Sequence, residues 1–385
     1  MRALVGHLNT PGGNISLNPA PFTRPGRFFH LKDSPRIDKI KQKKVVGNEF
    51  KLAMSSAYIP TQSLVRGILD EKPNSIKAAL CILSDPLVSY PDTEMTYNAF
   101  MKLDFFVVSE LFMTPTAAIA DVVLPAAWGR EHDTLGYWPG WFGEIRAYPK
   151  IVEPPGEARS DPDWINDLAK RLGLERFFWK DEKEAINHML RPSGLTWEEF
   201  KDKRILHPER SYRQYEDGIF KTPSGKVEIV SEQAEKIGYD SIPKFRGLSK
   251  FRHEQTKEYP LTLFNGKEGV YMLTGYKHVQ SLREMKDQPV VELNPTTAKD
   301  LGLKEGDWVY IETQKGKIKQ ILSLDAELDQ RLVNASFGWW FPESGDALSQ
   351  FKKSNINVLT DGSPPYDRGA GSLELAAIPC KVYKA

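Results

Sequence analysis

DFFVVSELFMTPTAAIADVVLPAAWGRE, residues 104–131, is the stretch on which the fold turns. It holds two short apolar runs, Phe105–Val108 and Val122–Leu124. Each is too short for a helix and rich in β-formers, as expected of strands buried on both faces of a parallel sheet. Between them, Pro115–Ile119 has room for about one helical turn, with Thr114 as its N-cap. Polar residues gather where the first run ends: Ser109, Glu110, Thr114 and Thr116. In an open α/β sheet, ligands bind beyond the carboxyl ends of the strands. Asp121 instead opens the second run, where its carboxylate serves either as a turn cap or as an acceptor for a ligand laid across the loop.

Working outward, Ile76–Leu83 reads as a third buried strand that stops at Ser84-Asp85-Pro86. Thr61–Leu69 and Thr93–Met101 carry helical spacing, so strands and helices alternate in a doubly wound α/β pattern. Upstream, Pro11-Gly12-Gly13-Asn14 is a turn, and Lys39–Lys44 is a basic run that reads as a solvated face. Downstream, residues 128–158 are an aromatic, Gly/Pro-rich loop with Trp128, Tyr137, Trp138, Trp141, Phe142 and Tyr148. It lines a ligand channel or packs an irregular segment; Glu131 and His132 are the titratable pair nearest the crevice. Ser160–Gly173 is the clearest helix, Thr196 and Glu199 mark another start, and Ile219–Val230 reads as strand, turn, strand. Residues 241–260 are the candidate linker. From Tyr259 the chain changes to short strands: Leu261–Phe264, Tyr271–Thr274, Val290–Leu293, Trp308–Glu312, Lys317–Leu324, Val333–Trp340, Val358-Leu359 and Ala376–Val382. With one small helix, Pro295–Leu301, they suggest a closed β-barrel.

The composition excludes more than it selects. Basic and acidic residues number 52 and 51, so no global field points to nucleic acid or an anionic membrane. No apolar run approaches the ~20 residues of a spanning helix, so no membrane insertion is expected. MRALVGHLNTPGGN is not a signal peptide, which places the chain as it stands in the cytoplasm. The 2 cysteines, Cys81 and Cys380, lie far apart in apolar surroundings and read as buried thiols. They cannot hold an iron–sulfur cluster, which normally takes four. The phosphate-loop, GxGxxG, GxSxG and HExxH motifs are absent, and the 7 histidines show no metal-ligand spacing. On the residues alone this is a large-ligand binding module with an α/β half and a β-barrel half.

Six phrases in order say more: VGHLNTPGGN (5–14), CILSDP (81–86), VVSELFMTPTAAIADVVLPAAWGRE (107–131), FKTPSGKVEI (220–229), LNPTTAKDLGLKEGDWVYIET (293–313) and NINVLTDG (355–362). Together they resemble the C-terminal half of the molybdopterin oxidoreductases related to dimethyl sulfoxide reductase, formate dehydrogenases and thiosulfate/polysulfide reductases among them. The resemblance covers essentially the whole chain. It implies bis-molybdopterin guanine dinucleotide carrying molybdenum or tungsten, two-electron redox on a small substrate, and a C-terminal double-psi β-barrel over the cofactor. Residues 1–20 would be the tail of a preceding domain, 21–250 the second segment of a split α/β domain, and 258–385 the barrel.

The family's iron–sulfur cysteine motif and metal-ligating residue lie in an N-terminal part that has no counterpart here. The resemblance therefore implies a fragment or split subunit, inactive alone, whose partners are that catalytic half and an iron–sulfur electron-transfer subunit. It makes the parent enzyme cytoplasmic or periplasmic. The alternative is a non-catalytic binding or assembly module that keeps only the fold.

Cofactor-binding candidates follow from both readings. Asp121 and Glu110, assisted by Ser109, Thr114 and Thr116, would accept the adjacent N–H groups of guanine. Ser84 and Asp85 stand where the family usually has Asn before Pro. In TGYKHVQS (274–281), Tyr276 replaces a family Arg. Thr274, Gly275, His278, Gln280 and Ser281 would face the pterin, as would Asn357, while Trp339 and Trp340 pack the barrel.

Overall fold

The computed structural model describes residues 2–23, 45–51, 59–137, 143–245, 247 and 254–385. The Lys39–Lys44 run, His30, Trp138, Trp141, Phe142, His253 and part of the 241–260 linker lie outside them. Contacts sort the chain into two units: Met1–Asp33 with Pro125–Lys244, and Ser34–Leu124 with Phe245–Ala385.

In the second unit, strands β1 (Ala78–Ile82), β2 (Phe105–Glu110) and β3 (Val122–Pro125) form a sheet in that order. β1 and β2 run parallel, with Ala78 opposite Phe105 and Leu80 opposite Val107. Helices α1 (Thr61–Asp70) and α2 (Thr93–Met101) pack on each other through Val65, Ile68 and Ala99. One sheet face is filled: Cys81, Phe106 and Val108 are buried with Phe100 of α2 and Ala117, and Ala79 and Val123 pack against them. The other face corrects the expectation of strands buried on both sides. Leu80, Phe105 and Val122 are exposed there, because among the described residues no helix layer covers them.

Six strands close the barrel: β4 (Leu261–Gly266), β5 (Val290–Leu293), β6 (Trp308–Glu312), β7 (Lys317–Leu324), β8 (Leu332–Ser336) and β9 (Ile378–Lys384). Around the barrel they run β5-β7-β6-β9-β4-β8, with β5–β7 and β8–β4 parallel and the other pairs antiparallel. Alternation builds the core: Val291 and Leu293, Val309 and Ile311, Ile318 and Leu322, Val333 and Ala335, Cys380 and Val382 all point inward. Gln320 takes an inward position between Ile318 and Leu322 without cost in unmade bonds. Its amide donates to the carbonyls of Ser336 (3.2 Å) and Ser354 (3.1 Å) and accepts from the Ser336 N–H at 3.0 Å.

Two expected barrel strands are not strands. Residues 271–276 form a loop with left-handed backbone at Leu273 (φ 54°) and Tyr276 (φ 71°), and Val358-Leu359 lie in a 3-10 turn, Ile356–Leu359. Side-chain bonds hold both in place of a ladder: the Trp340 indole donates to Thr274 O at 2.8 Å, and Asn355 Oδ1 accepts the Asn357 N–H at 3.2 Å.

The first unit holds a three-stranded antiparallel sheet of Thr134–Tyr137, Ile145–Tyr148 and Ile205–Leu206. Its core joins Ile145 and Ala147 to Ile186, Leu190, Trp197 and Phe200 on helices Glu182–Leu190 and Trp197–Lys203. The 128–158 stretch is thus partly a strand pair rather than one irregular loop. Helix Asp161–Arg171 starts at Ser160 as expected, and Thr196 with Glu199 makes a complete capping box. Within 219–230 the turn forms (Gly225 N–H to Thr222 O, 3.0 Å), but its arms build no ladder and leave Ile219, Ile229 and Val230 exposed. Cys81 and Cys380 are free and buried, and burial pushes both thiols up to about 12, so neither is a nucleophile at neutral pH.

Candidate functional site

The site grows from the turn after β1. Leu83 takes a left-handed φ of 53°, which swings the chain off the sheet and buries Asp85. Thr116 lies in the turn after β2. Its hydroxyl donates to Asp85 Oδ1 at 2.5 Å and accepts the Leu87 N–H at 3.1 Å, so one side chain joins the two loops. Asp85 Oδ2 is buried and finds no partner among the described residues. Desolvation, with Glu110 nearby, pushes this carboxyl up to about 7 against the pull of Thr116.

The other candidates at this end are placed as follows. Thr114 Oγ1 accepts the Ala117 N–H at 3.2 Å, at the start of the short 3-10 turn Ala117–Ile119, whose N-cap position is taken by Thr116 rather than the expected Thr114. Glu110 accepts the N–H of the next residue, Leu111, at 2.7 Å. Ser109 is buried, and Ser84 is half-buried with its carbonyl accepting the Cys81 thiol at 3.2 Å. Asp121 lies elsewhere: its Oδ2 accepts the Phe106 N–H at 2.7 Å and its N–H donates to Phe106 O at 2.9 Å, near the start of β2. The structure therefore separates Asp121 from Asp85 and gives its carboxylate a turn-fastening role.

Barrel residues meet these loops within the same unit. Asn355, fully buried, donates from Nδ2 to Leu87 O and Thr93 Oγ1, both at 3.2 Å, and Asn357 Nδ2 donates to Val88 O at 2.8 Å. Asp92, also buried, accepts the Gly362 N–H at 3.2 Å and pairs with the Lys315 ammonium at 2.7 Å. Trp340 shares a core with Leu87, Val88 and Phe351. The His278 ring stacks on Phe112 at 5.0 Å and meets Trp340 edge-on at 4.9 Å, which brings the 274–281 loop against the loop after β2.

Several buried nitrogens and the oxygens Asn334 Oδ1 and Gln350 Oε1 lack partners on the barrel side among the described residues. His278 Nδ1, Arg283 Nη1 and Trp339 Nε1 are buried without a hydrogen-bond partner among the described residues. Burial, helped by Arg283, lowers the His278 imidazole. Lys277 turns inward. It is buried with its ammonium 3.6 Å from the Tyr271 ring centre and 5.1 Å from that of Trp339, and desolvation lowers it to about 7. Gly338 (φ 66°) allows the close approach, since a Cβ there would meet Leu273 O at 3.0 Å. Gln280 and Ser281 start the helix Gln280–Met285 and are exposed; the Gln280 amide donates to Glu284 Oε1 at 2.8 Å. Thr274 and Gly275 are half-buried.

Sequence reading missed Asn355, Asp92, Lys315, Phe112, Arg283 and the inward turn of Lys277. Only Asp92 left a signal, as an Asp followed by Thr-Glu at a helix start. In the first unit, His132 Nδ1 faces Glu182 at 3.4 Å, which raises the imidazole, and Glu131 accepts the Trp128 N–H at 2.8 Å. Both hold the first unit's loops.

Two family models match the chain: Molybdopterin oxidoreductase over residues 3–171, and Molydopterin dinucleotide binding domain over residues 261–379. The acetylene hydratase of Syntrophotalea acetylenica is 34% identical over 89% of this chain and 48% of its own length. The dopamine dehydroxylase of Eggerthella lenta is 26% identical over 99% of this chain and 46% of its own length. The solved structure of the acetylene hydratase from Pelobacter acetylenicus superposes with a TM-score of 0.76 at 30% identity, covering 93% of this chain and 51% of that one. The chain thus spans about half the length of the relatives it matches.

Proposed function

The chain belongs to the molybdopterin oxidoreductase family related to dimethyl sulfoxide reductase, and from that premise we propose that it forms the dinucleotide-binding half of a two-electron redox enzyme. The observation that carries this reading is the pairing of a buried, unpartnered acceptor, Asp85 Oδ2, with buried, unpartnered nitrogens at His278, Arg283 and Trp339. A guanine-tailed pterin offers both donors and acceptors, so the residues present fit such a group. Asp85 takes the adjacent N–H groups of guanine, in bonds worth roughly 1.5–3 kcal/mol each. Glu110, Ser109 and Ser84 border it, while Thr116, Thr114 and Asn357 hold the loops in place. His278 and Arg283 serve the pterin side, with Thr274, Gly275, Gln280 and Ser281 at the margin.

When bound, the cofactor's molybdenum or tungsten supplies two-electron transfer; this chain's residues bind it, orient it and exclude water. Bis-molybdopterin guanine dinucleotide, the double-psi form of the barrel and the split-domain boundaries 1–20, 21–250 and 258–385 belong to the same proposal. So do a partner polypeptide supplying the catalytic half and the iron–sulfur cluster, and an iron–sulfur electron-transfer subunit. Addition of water to a small unsaturated substrate is a second reading, supported by the 34% identity to an acetylene hydratase.

GDP serves as a probe for the guanine end. Saturating GDP is expected to raise the melting temperature of the chain, ADP to leave it unchanged, and Asp85→Ala to abolish the response. Equal responses to the two nucleotides, or none, would count against a guanine site.

A further inference from the structure

Lys277 carries a charge that the packing around it does not require. It is 1% exposed, and among the described residues its ammonium forms no ion pair and donates one long hydrogen bond, to Leu273 O at 3.4 Å. Glu268 favours its charge, but that carboxylate is taken by the Lys286 ammonium at 2.7 Å and by the Ser336 hydroxyl, while Arg283 and Lys286 oppose it. What receives the charge is aromatic. The Tyr271 and Trp339 rings stand edge to face with centres 5.6 Å apart, and the nitrogen lies 3.6 and 5.1 Å from those centres. A methionine would fill the same length with no charge to desolvate, so stability alone does not call for a lysine here.

The rings under the ammonium belong to the frame of the site. Trp339 stands between two residues that already touch the 271–278 loop. Gly338 packs so close to Leu273 O that a Cβ would meet it at 3.0 Å. Trp340 donates its indole N–H to Thr274 O at 2.8 Å and meets the His278 ring edge-on at 4.9 Å. The loop is thus pinned at three successive residues, 338–340, against left-handed backbone at Leu273 (φ 54°) and Tyr276 (φ 71°). Lys277 and His278 are neighbours in sequence whose side chains part, the first onto Tyr271 and the second onto the Phe112 ring at 5.0 Å. Where Lys277 is anchored therefore fixes where His278 presents its imidazole.

We propose that Lys277 is a positioning residue for the pterin side of the site: its ammonium clamps Tyr271 against Trp339 and so holds His278 in place for the ligand. The inference rests on the pterin reading above. It makes Lys277 a residue whose charge lowers stability and serves the site instead.

Binding of free pterin to the full chain at pH 6, followed by the ligand's fluorescence, tests the clamp together with the 15N resonances of His278. Lys277→Met is expected to weaken pterin binding about 10-fold while the melting temperature rises, and Lys277→Arg, which keeps the charge, to bind within about 3-fold of wild type. Desolvation brings the Lys277 ammonium down to about 7, and the His278 imidazole itself titrates below its ordinary value. The wild-type His278 resonances should therefore show a further step between pH 6 and 9 that neither variant shows. The proposal is overturned if the wild type lacks that step or Lys277→Met keeps it. It is equally overturned if Lys277→Met binds pterin as tightly as wild type, or if a folded Lys277→Arg binds as weakly as Lys277→Met. Should either variant fail to fold, the wild-type step decides alone. The two readings fail separately: a step without pterin binding sinks the pterin assignment, and pterin binding without a step sinks the clamp.

Discussion

Asp85 and Lys277 are buried ionisable groups whose pKa values are displaced in opposite directions, and each gives stability a pH dependence of known sign. The Asp85 carboxyl, held at about 7, binds a proton in the folded chain that the unfolded chain releases near its ordinary value. Stability of the ligand-free chain should therefore fall as pH rises from about 4 to 7, by at most about 4 kcal/mol, and then level off. Asp85→Asn is expected to flatten that slope in urea titrations between pH 5 and 8; an unchanged slope would place the carboxyl in water. Lys277, lowered to about 7, gives the reverse: the folded chain loses a proton that the unfolded chain keeps, so stability rises between about pH 7 and 10. Lys277→Met should raise the melting temperature at pH 6 and change it little at pH 10. The Tyr271 face under the ammonium offsets part of that cost.

Among the elements, the contact between the turn after β1 and the 355–362 segment matters most, since it is made by side chains bonding to backbone. Asn355→Ala removes two donated bonds and one accepted bond in a fully buried position. The expected loss is about 2–3 kcal/mol in chemical denaturation, and a change under ~0.5 kcal/mol would contradict the geometry. The same contrast explains what could be read in advance. Barrel strands such as Val309–Ile311 and Ile318–Leu322 were legible because alternation is local and their partners lie within this chain. The helix at Ser160 and the capping box at Thr196 were legible because caps span only three residues. Tyr271–Thr274 and Val358-Leu359 read as strands for the same apolar reason, yet Trp340 and Asn355, distant or unremarked in sequence, bend them into turns. Asp121 was open between two roles, and only a neighbour fifteen residues back, the Phe106 N–H, places it. Lys277 could not be read at all, since nothing local says that an ammonium will point inward onto Tyr271.

At the scale of the whole molecule, the described residues contain no helix long and apolar enough to cross a membrane, and the family match accounts for the barrel and most of the rest. The barrel brings its own polar plug. Gln320→Ala would leave the Ser336 N–H and two carbonyls short of partners, and is expected to cost about 2–4 kcal/mol, measured on the intact chain. What the molecule holds is the larger question, and one measurement addresses it most directly. The chain is co-expressed with the N-terminal half of an acetylene hydratase relative in a host that makes the molybdenum cofactor, and the purified complex is assayed for pterin by oxidative fluorescence and for GMP released by acid. Two pterins and two GMP per complex, falling at least tenfold with Asp85→Ala, is the predicted result. A folded, stable complex with neither pterin nor GMP would contradict the account.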